Sequence, residues 1–437
     1  MQRREHRHLN WQRRRAVVLT ADSMDIPNEE VLPPGGNRLK DFTPHPGLGW
    51  VQLRNAVFST SIFKKMVGKT APGLAAGEMV TVYDRDGEFF GVGLFNPQSQ
   101  IALRMLSFTE MEVTEDFLEK RLTQAAALRR EMLKLDATTS AYRVVHAEGD
   151  GLPGLIVDRL GDAAVVEILS MAMFKRIGRI KHILLDILPV KRVIFRTDEH
   201  IQRAEGFFLR QDDIRDGHSG GMVEENGLHF TVDLAAGHKT GFFCDQRDNR
   251  LALTAWTQDA RMLDLCCYSG GFGIYAATMG KAAQITAVDL DEAAVALARR
   301  NANLNRINAG QYQCIHADGF AYLRQMQQNN QWYDVVVLDP PKLIAARDDF
   351  AAGRKKYFDF NKLAMGVVKP GGMLVTCSCS GLLDVLEFQN MLRGAARSAR
   401  KRVQILRVTG AGADHPVMTE FLEGQYLKCA WCRIVEG

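Results

Sequence analysis

Arg261-Met262-Leu263-Asp264-Leu265-Cys266-Cys267-Tyr268-Ser269-Gly270-Gly271-Phe272-Gly273 is the stretch on which the fold turns. An apolar run, Met262–Leu265, passes directly into a glycine-rich loop, the pattern of a buried strand ending in a turn and a helix start. Downstream, further apolar runs at Ile285–Val288, Gln313–Ile315, Val335–Leu338 and Met373–Cys377 alternate with helical patterns. Such alternation predicts a doubly wound parallel sheet. The final pair, Val403–Val408 and Tyr426–Ile434, has no helix between its members and predicts an antiparallel hairpin. Glycines after the first strand let backbone approach a ligand, and the helix N-terminus beyond them favours negative charge. Asp289 ends the second strand, 18 residues after Gly271, where a carboxylate can accept both hydroxyls of a ribose. Gly271-x-Gly273-x-x-Ala276 also satisfies the dinucleotide fingerprint, so this loop alone leaves the nucleoside cofactor open.

The later strands narrow the choice. His316-Ala317-Asp318-Gly319 places an acid after the third strand, suited to holding an adenine amino group. Val337-Leu338-Asp339-Pro340-Pro341-Lys342 follows the fourth, and two prolines directly after a buried strand force a rigid turn. Nicotinamide dehydrogenases have no need of Asp-Pro-Pro there, whereas methyltransferases use such a turn to hold an acceptor base beside the methyl donor. The combination favours S-adenosylmethionine as cofactor. The fifth strand runs Met373-Leu374-Val375-Thr376-Cys377-Ser378-Cys379-Ser380-Gly381. Cys377 and Cys379 share a face, with Cys379 further out at the carboxyl end, where ligands of open α/β sheets bind. Cys377 therefore reads as core and Cys379 as a nucleophile. Carbon 5 of a pyrimidine is a poor nucleophile until a thiolate adds to carbon 6, and protonation of the ring nitrogen by Asp339 would assist that addition. The base that removes the carbon 5 proton is not identifiable from sequence. Cys429-x-x-Cys432 raises a zinc alternative, but on a strand those positions face opposite ways, so no metal is expected.

Upstream, Met79–Tyr83 and Phe89–Leu94 flank Asp86-Gly87, a strong hairpin signal, and Ile101–Leu106 adds a third strand. Residues 48–110 are thus expected to form a small β domain. Residues 111–233 read as an α+β unit: a helix capped by Thr114 with Leu118, Leu122, Ala125, Leu128 and Met132 on its apolar face, strands near 142–145, 155–157, 164–168, 193–195 and 228–232, and a helix near 174–188. Gly217–Gly221 reads as the linker to residues 234–437. Residues 1–47, with six arginines in the first fifteen positions and then a run of prolines and glycines, read as a basic, disordered arm. The chain of 437 residues is 46% hydrophobic and 24% charged, with no apolar run long enough for a membrane span and no secretory h-region. Its eight cysteines are then reduced thiols of a cytoplasmic protein. A net charge of +4 permits a nucleic-acid partner without requiring one.

These residues resemble the family of ribosomal RNA large subunit methyltransferase I, over about residues 48–437. The likeness is carried by 149–154 (GDGLPG), 237–243 (GHKTGFF), Asp245-Gln246-Arg247, the Tyr268–Gly273 loop, Asp339–Lys342, Cys379-Ser380-Gly381 and Asp414-His415-Pro416. The resemblance implies a PUA-type β domain, a central α+β domain and a Rossmann-like class I catalytic domain. It implies S-adenosylmethionine-dependent methylation of a cytosine in large-subunit (23S) ribosomal RNA, with Cys379 as nucleophile and cofactor contacts at Tyr268, Gly270, Asp289 and Asp318. Ser269, Gly271 and Phe272 of the same loop, Gln246 and Arg247, and Asp339 complete the expected cofactor set. Pro341 stands where other RNA cytosine-5 enzymes carry a second cysteine. Lys342, Arg354, Lys355, Lys356 and Tyr357 are the candidate RNA contacts, weighed against a merely solvated helix face. Ribosomal RNA is the expected partner, with a homodimer also open and no membrane. The competing readings are a guanine N2 or other exocyclic-amine methyltransferase, which needs no thiolate, and a non-catalytic RNA-binding or assembly protein, which needs neither Asp339 nor Cys379. A NAD-dependent oxidoreductase would explain only the first two strands.

Overall fold

The computed structural model describes residues 39–45, 49–110, 114–209, 220–234 and 240–435. The sheet that positions the site has seven strands: β1 (Arg261–Leu265), β2 (Gln284–Asp289), β3 (Tyr312–His316), β4 (Tyr333–Leu338), β5 (Val368–Ser378), β6 (Arg402–Thr409) and β7 (Lys428–Val435). Their spatial order is β3-β2-β1-β4-β5-β7-β6. β1 to β5 are mutually parallel; β7 inserts antiparallel between β5 and β6, so the expected terminal hairpin forms with its second strand inward. The strands read as continuous apolar runs because both faces are covered. Met262, Val335 and Val337 enter one core, and Leu263, Leu265, Val336 and Leu338 the other. Helices α2 (Gly271–Thr278) and α3 (Glu292–Leu304) cover the first face. Helices α4 (Gly319–Gln328), α5 (Phe350–Met365) and α6 (Val385–Ser398) cover the second. A short helix, α1 (Arg247–Leu253), precedes β1. Side chains of Asp291, Asp318 and Asp384 accept from backbone N–H groups at the starts of α3, α4 and α6, the preferred N-cap chemistry. The strand order reverses between β1 and β4, which opens a crevice at their carboxyl ends.

The upstream β unit is a six-stranded sheet rather than three strands. Glu78–Tyr83 and Phe89–Phe95 pair around Asp86-Gly87 as expected, and Ile101–Ser107 joins them. Gly49–Leu53, Ser61–Phe63 and Val67–Thr70 were not foreseen; they are short, and their pairings are interrupted in register. The expected arm must be shortened. Phe42 packs its ring against Trp50 and Tyr83, and Lys40 pairs with Asp86, so residues 39–45 belong to this unit. Residues 1–38 and 46–47 lie outside the described residues.

Between the two comes a four-stranded sheet, Arg192–Arg196, Ala163–Ile168, Leu155–Leu160 and Ala141–His146 in that order, backed by helices Asp116–Ala127 and Ile177–Ile187. Thr114 does not cap the first helix, whose N-cap is Glu115 without a side-chain bond, and Met132 is exposed. The glycine linker is also revised. Gly220 and Gly221 begin a strand, Gly220–Glu225, paired with Leu228–Asp233; residues 217–219 lie outside the described residues. Backbone N–H groups of His229 and Thr231 donate to Asn305 and Asn301, tying this hairpin to α3. Phe230 and Val232 pack into one core of the seven-stranded sheet. Among the described residues no helix is long and apolar enough to cross a membrane.

Candidate active site

A cleft of about 560 Å³ opens where β1 and β4 diverge, lined by the glycine loop, the ends of β2, β3 and β4, and the residues after β5. The loop is held in a demanding conformation. Cys266 and Tyr268, neither a glycine, sit at φ +61° and +46°, with Gly270 at +79°. Such backbone costs of order 1 kcal/mol per residue and persists only where surroundings impose it. Here the N–H groups of Cys266 and Cys267 donate to Val288 O, and that of Gly270 to Cys267 O. Gly273 is required for packing: a Cβ there would lie 2.8 Å from the Tyr312 hydroxyl and 3.0 Å from Ile285. Beneath the loop, buried Asp264 accepts from Gly273 N at 3.0 Å. Burial, reinforced by the charges of Asp339 and Asp289, pushes its carboxyl up to about 7 against that bond.

The expected cofactor residues largely converge. Tyr268, Ser269, Gly271, Phe272, Asp289, Asp318, Asp339 and Gln246 all line the cleft. Gly270 is not in the lining; its positive φ makes the turn. Asp289 is pinned by the N–H groups of Tyr268 (2.9 Å) and Asp291 (3.0 Å), and Asp318 caps α4 through Ala321 N (2.8 Å) while facing the cleft. The wall between the two acids is apolar: Val288, Leu290, Ala317 and Phe320, with Phe320 stacked on Phe360 at 4.1 Å. A flat apolar slot bounded by fixed carboxylates suits a nucleoside whose base is buried and whose hydroxyls and amine donate hydrogen bonds. Arg247 is the exception. Its guanidinium is buried away from the cleft in a bidentate pair with Asp414 (3.0 and 2.9 Å). Arg129 donates to Asp414 O and Arg143 N to its carboxylate, so Asp414 ties Arg247 to the central unit, and Arg247 does not line the cleft.

Asp339 and Cys379 leave adjacent parallel strands and line the same cleft. Asp339 is oriented by four directed hydrogen bonds. Trp431 Nε1 donates to Thr409 Oγ1 (2.9 Å), Thr409 Oγ1 to Asn249 Oδ1 (2.7 Å), Asn249 Nδ2 to Gln246 Oε1 (2.7 Å), and Gln246 Nε2 to Asp339 Oδ2 (3.0 Å). An indole N–H can only donate, so Thr409 Oγ1 accepts from it and passes its own proton to the nearer acceptor, Asn249 Oδ1; at the end of the series Asp339 Oδ2 is the acceptor. Beside Cys379, Ser380 is fully buried and held through its hydroxyl by Ile344 N (3.1 Å) and the Tyr357 hydroxyl (3.0 Å). Cys377 is buried opposite Cys429 in the β5–β7 register; its hydrogen bond to Cys429, with burial, holds the thiol well above its usual range. Cys429 and Cys432 enter opposite cores, as strand alternation requires.

Residues 216–408 match the S-adenosylmethionine-dependent methyltransferase family, and residues 59–108 a PUA-like domain. Curated relatives match at higher coverage. The ribosomal RNA large subunit methyltransferase I of Photobacterium profundum is 38% identical over 361 residues, 82% of this chain and 90% of its own. That of Aliivibrio fischeri is 35% identical over 377 residues, 86% and 95% of the two chains. The chain belongs to the ribosomal RNA large subunit methyltransferase I family. Its cofactor is S-adenosylmethionine, and its fold is a PUA-like domain followed by a Rossmann-like methyltransferase domain. A solved S-adenosylmethionine-dependent methyltransferase from Streptococcus mutans shares that fold, with a TM-score of 0.73 at 19% identity over 88% of this chain and 99% of that one.

In this family member the candidate RNA contacts divide. Lys342 lines the cleft mouth and is exposed. Lys355 and Lys356 lie on the exposed face of α5, Lys355 paired with Asp359, and Arg354 pairs with Glu387. Tyr357 is corrected: it is wholly buried under Ser380 and has no face for a base to stack on. Two cleft residues went unassigned in the sequence. Asp245 is buried in the lining and accepts from the Tyr426 hydroxyl at 2.6 Å. Arg250 forms a buried pair with Glu225 of the hairpin. A carboxylate directly before Gln246 was the available signal for Asp245; the partner of Arg250 lies 25 residues away and left none. Of the 237–243 stretch, residues 237–239 lie outside the described residues.

Proposed function

We propose that the chain methylates carbon 5 of a cytosine in large-subunit (23S) ribosomal RNA through a covalent adduct between Cys379 and carbon 6. The observation that carries this reading is the pairing of Cys379 with Asp339 at neighbouring strand exits, both facing the cofactor cleft. An exocyclic-amine methyltransferase needs no thiol at that place.

When bound, S-adenosylmethionine supplies an electrophilic methyl group. The residues fitted to hold it are Asp289 for ribose hydroxyls, Asp318 for the adenine amine, and the Tyr268–Phe272 loop against the remainder. The Cys379 thiolate adds to carbon 6, and Asp339 donates a proton to N3, so electron density collects at carbon 5. After carbon 5 is methylated, its proton passes to water in the cleft, the C5–C6 double bond re-forms as the thiolate is expelled, and N3 returns its proton to Asp339. Asp339 is held for this by Gln246, a positioning residue with both ends of its amide engaged. Lys342, Lys355 and Lys356 offer charge for RNA phosphates, which makes binding steeply salt-dependent. A ribosomal RNA substrate assigns the enzyme to the cytoplasm.

The test is mass mapping of large-subunit ribosomal RNA from cells with and without the gene. The reading expects one cytosine to lose a carbon 5 methyl group. Loss of an exocyclic-amine methyl group instead would overturn it.

A further inference from the structure

We propose that Lys428 is a positioning residue for Cys379: a buried ammonium group at the strand exit that favours the thiolate and keeps it directed at the cleft. The inference rests on the covalent reading above and extends it to how the nucleophile is activated.

Lys428 opens β7 opposite Ser378 of β5 and is 2% exposed, the only buried lysine among the described residues. Its Nζ donates to Ser380 O at 2.6 Å and to Tyr426 O at 2.8 Å. The first carbonyl belongs to the residue after Cys379, so the cation is fixed to the same turn as the thiol. Among the described residues no carboxylate lies within ion-pair distance of Nζ. A cation buried against neutral carbonyls alone is costly, and the cost falls when an anion forms beside it. Burial pushes Lys428 down to about 8, and the charge interaction that opposes this most is with Cys379.

The other groups around the thiol make a cation necessary. Asp245 ahead of α1 is a carboxylate in the same cleft and disfavours a thiolate, and Asp339 beyond β4 adds to this once its own proton has left. Tyr357 of α5 and Tyr426 ahead of β7 are phenols whose burial keeps them un-ionised. Asp384 ahead of α6 acts on the Lys428 side, and Lys342 lies at the exposed mouth. Lys428 is thus the buried positive charge at this turn. Cys379 ionises by releasing its proton to water. Its sulfur lone pair forms the C6–S bond, and those electrons return to sulfur when the product leaves, again beside the ammonium.

The experiment is alkylation of the full-length protein by iodoacetamide without RNA, from about pH 5 to 10, with modification of Cys379 read by peptide mass. Wild type should show a midpoint below the free-thiol value of about 8.5. Lys428→Met should raise it by about one unit or more, slowing Cys379 alkylation near neutral pH about tenfold. Half-buried Cys314 on β3 should react unchanged, and S-adenosylmethionine should still bind, reporting an intact fold. Lys428→Arg, which keeps the charge, should restore part of the low midpoint. Equal midpoints in wild type and Lys428→Met would overturn the proposal. Should the Met variant not fold, a wild-type midpoint above 8.5 would overturn it equally. Methyl transfer by Cys379→Ala would instead defeat the covalent reading, an outcome separate from the alkylation result.

Discussion

Replacing Gln246 by Met isolates the directed hydrogen bonds that end on Asp339. Methionine keeps the length of the side chain and removes both the donor to Asp339 Oδ2 and the acceptor for Asn249. Asn249 retains a bond to Gly410 O at 3.1 Å, so the structural loss is modest. As the proton passes to N3, Asp339 becomes a carboxylate, and a hydrogen bond to a charged group contributes about 1.5–3 kcal/mol. At about 1.4 kcal/mol per decade, losing the bond that aims Asp339 should slow adduct formation about 10- to 150-fold. The assay is single-turnover trapping on RNA carrying 5-fluorocytosine at the target, with cofactor affinity measured alongside by calorimetry. Cofactor affinity should change little, because both ends of the Gln246 amide are already engaged within the protein. Thr409→Val, at the far end, should show the opposite balance. It strands the buried Trp431 N–H and costs about 1–3 kcal/mol of stability, with a smaller effect on rate. A Gln246→Met enzyme that forms adduct within twofold of wild type would refute the positioning argument.

Two further outcomes test the electrostatics and the corrected surface. Asp264 stays protonated in the folded protein up to about pH 7, while an unfolded aspartate ionises near 4. In that window the unfolded chain binds fewer protons, so stability is lost as pH rises, by a few kcal/mol in total. Asp264→Asn keeps an oxygen for Gly273 N; thermal melts should show it gaining on wild type between about pH 4 and 7 and matching it below, and parallel curves would contradict the burial argument. Tyr357→Phe should leave RNA affinity unchanged while slowing methyl transfer through loosening of Ser380; a tenfold loss of RNA binding would return Tyr357 to the RNA surface.

The catalytic sheet was legible because strands covered on both faces are continuous apolar runs, and glycines or prolines punctuate their ends. The glycine loop, Asp289, Asp318, Asp339 and Cys379 were legible for the same reason: each follows such a run, and carboxyl ends of parallel strands converge. What escaped lay in long-range pairing. Arg247 meets Asp414, 167 residues on, and Asn249 meets Thr409, 160 residues on; neither spacing leaves a local pattern. Tyr357 was misread because a basic helix with an aromatic looks alike whether the ring turns out to RNA or in to Ser380. Gly220 and Gly221 were misread because glycines at a hairpin's start resemble a linker.

The central claim is that Cys379 attacks carbon 6 of the target cytosine, and a covalent trap tests it most directly. RNA with 5-fluorocytosine at the target is incubated with enzyme and S-adenosylmethionine, and the complex is resolved under denaturing conditions, since fluorine cannot leave as a proton does. The account predicts a stable adduct with wild type and with Cys377→Ala, and none with Cys379→Ala, which should still bind cofactor. An adduct that survives in Cys379→Ala, or full methyl transfer by that variant, would contradict it.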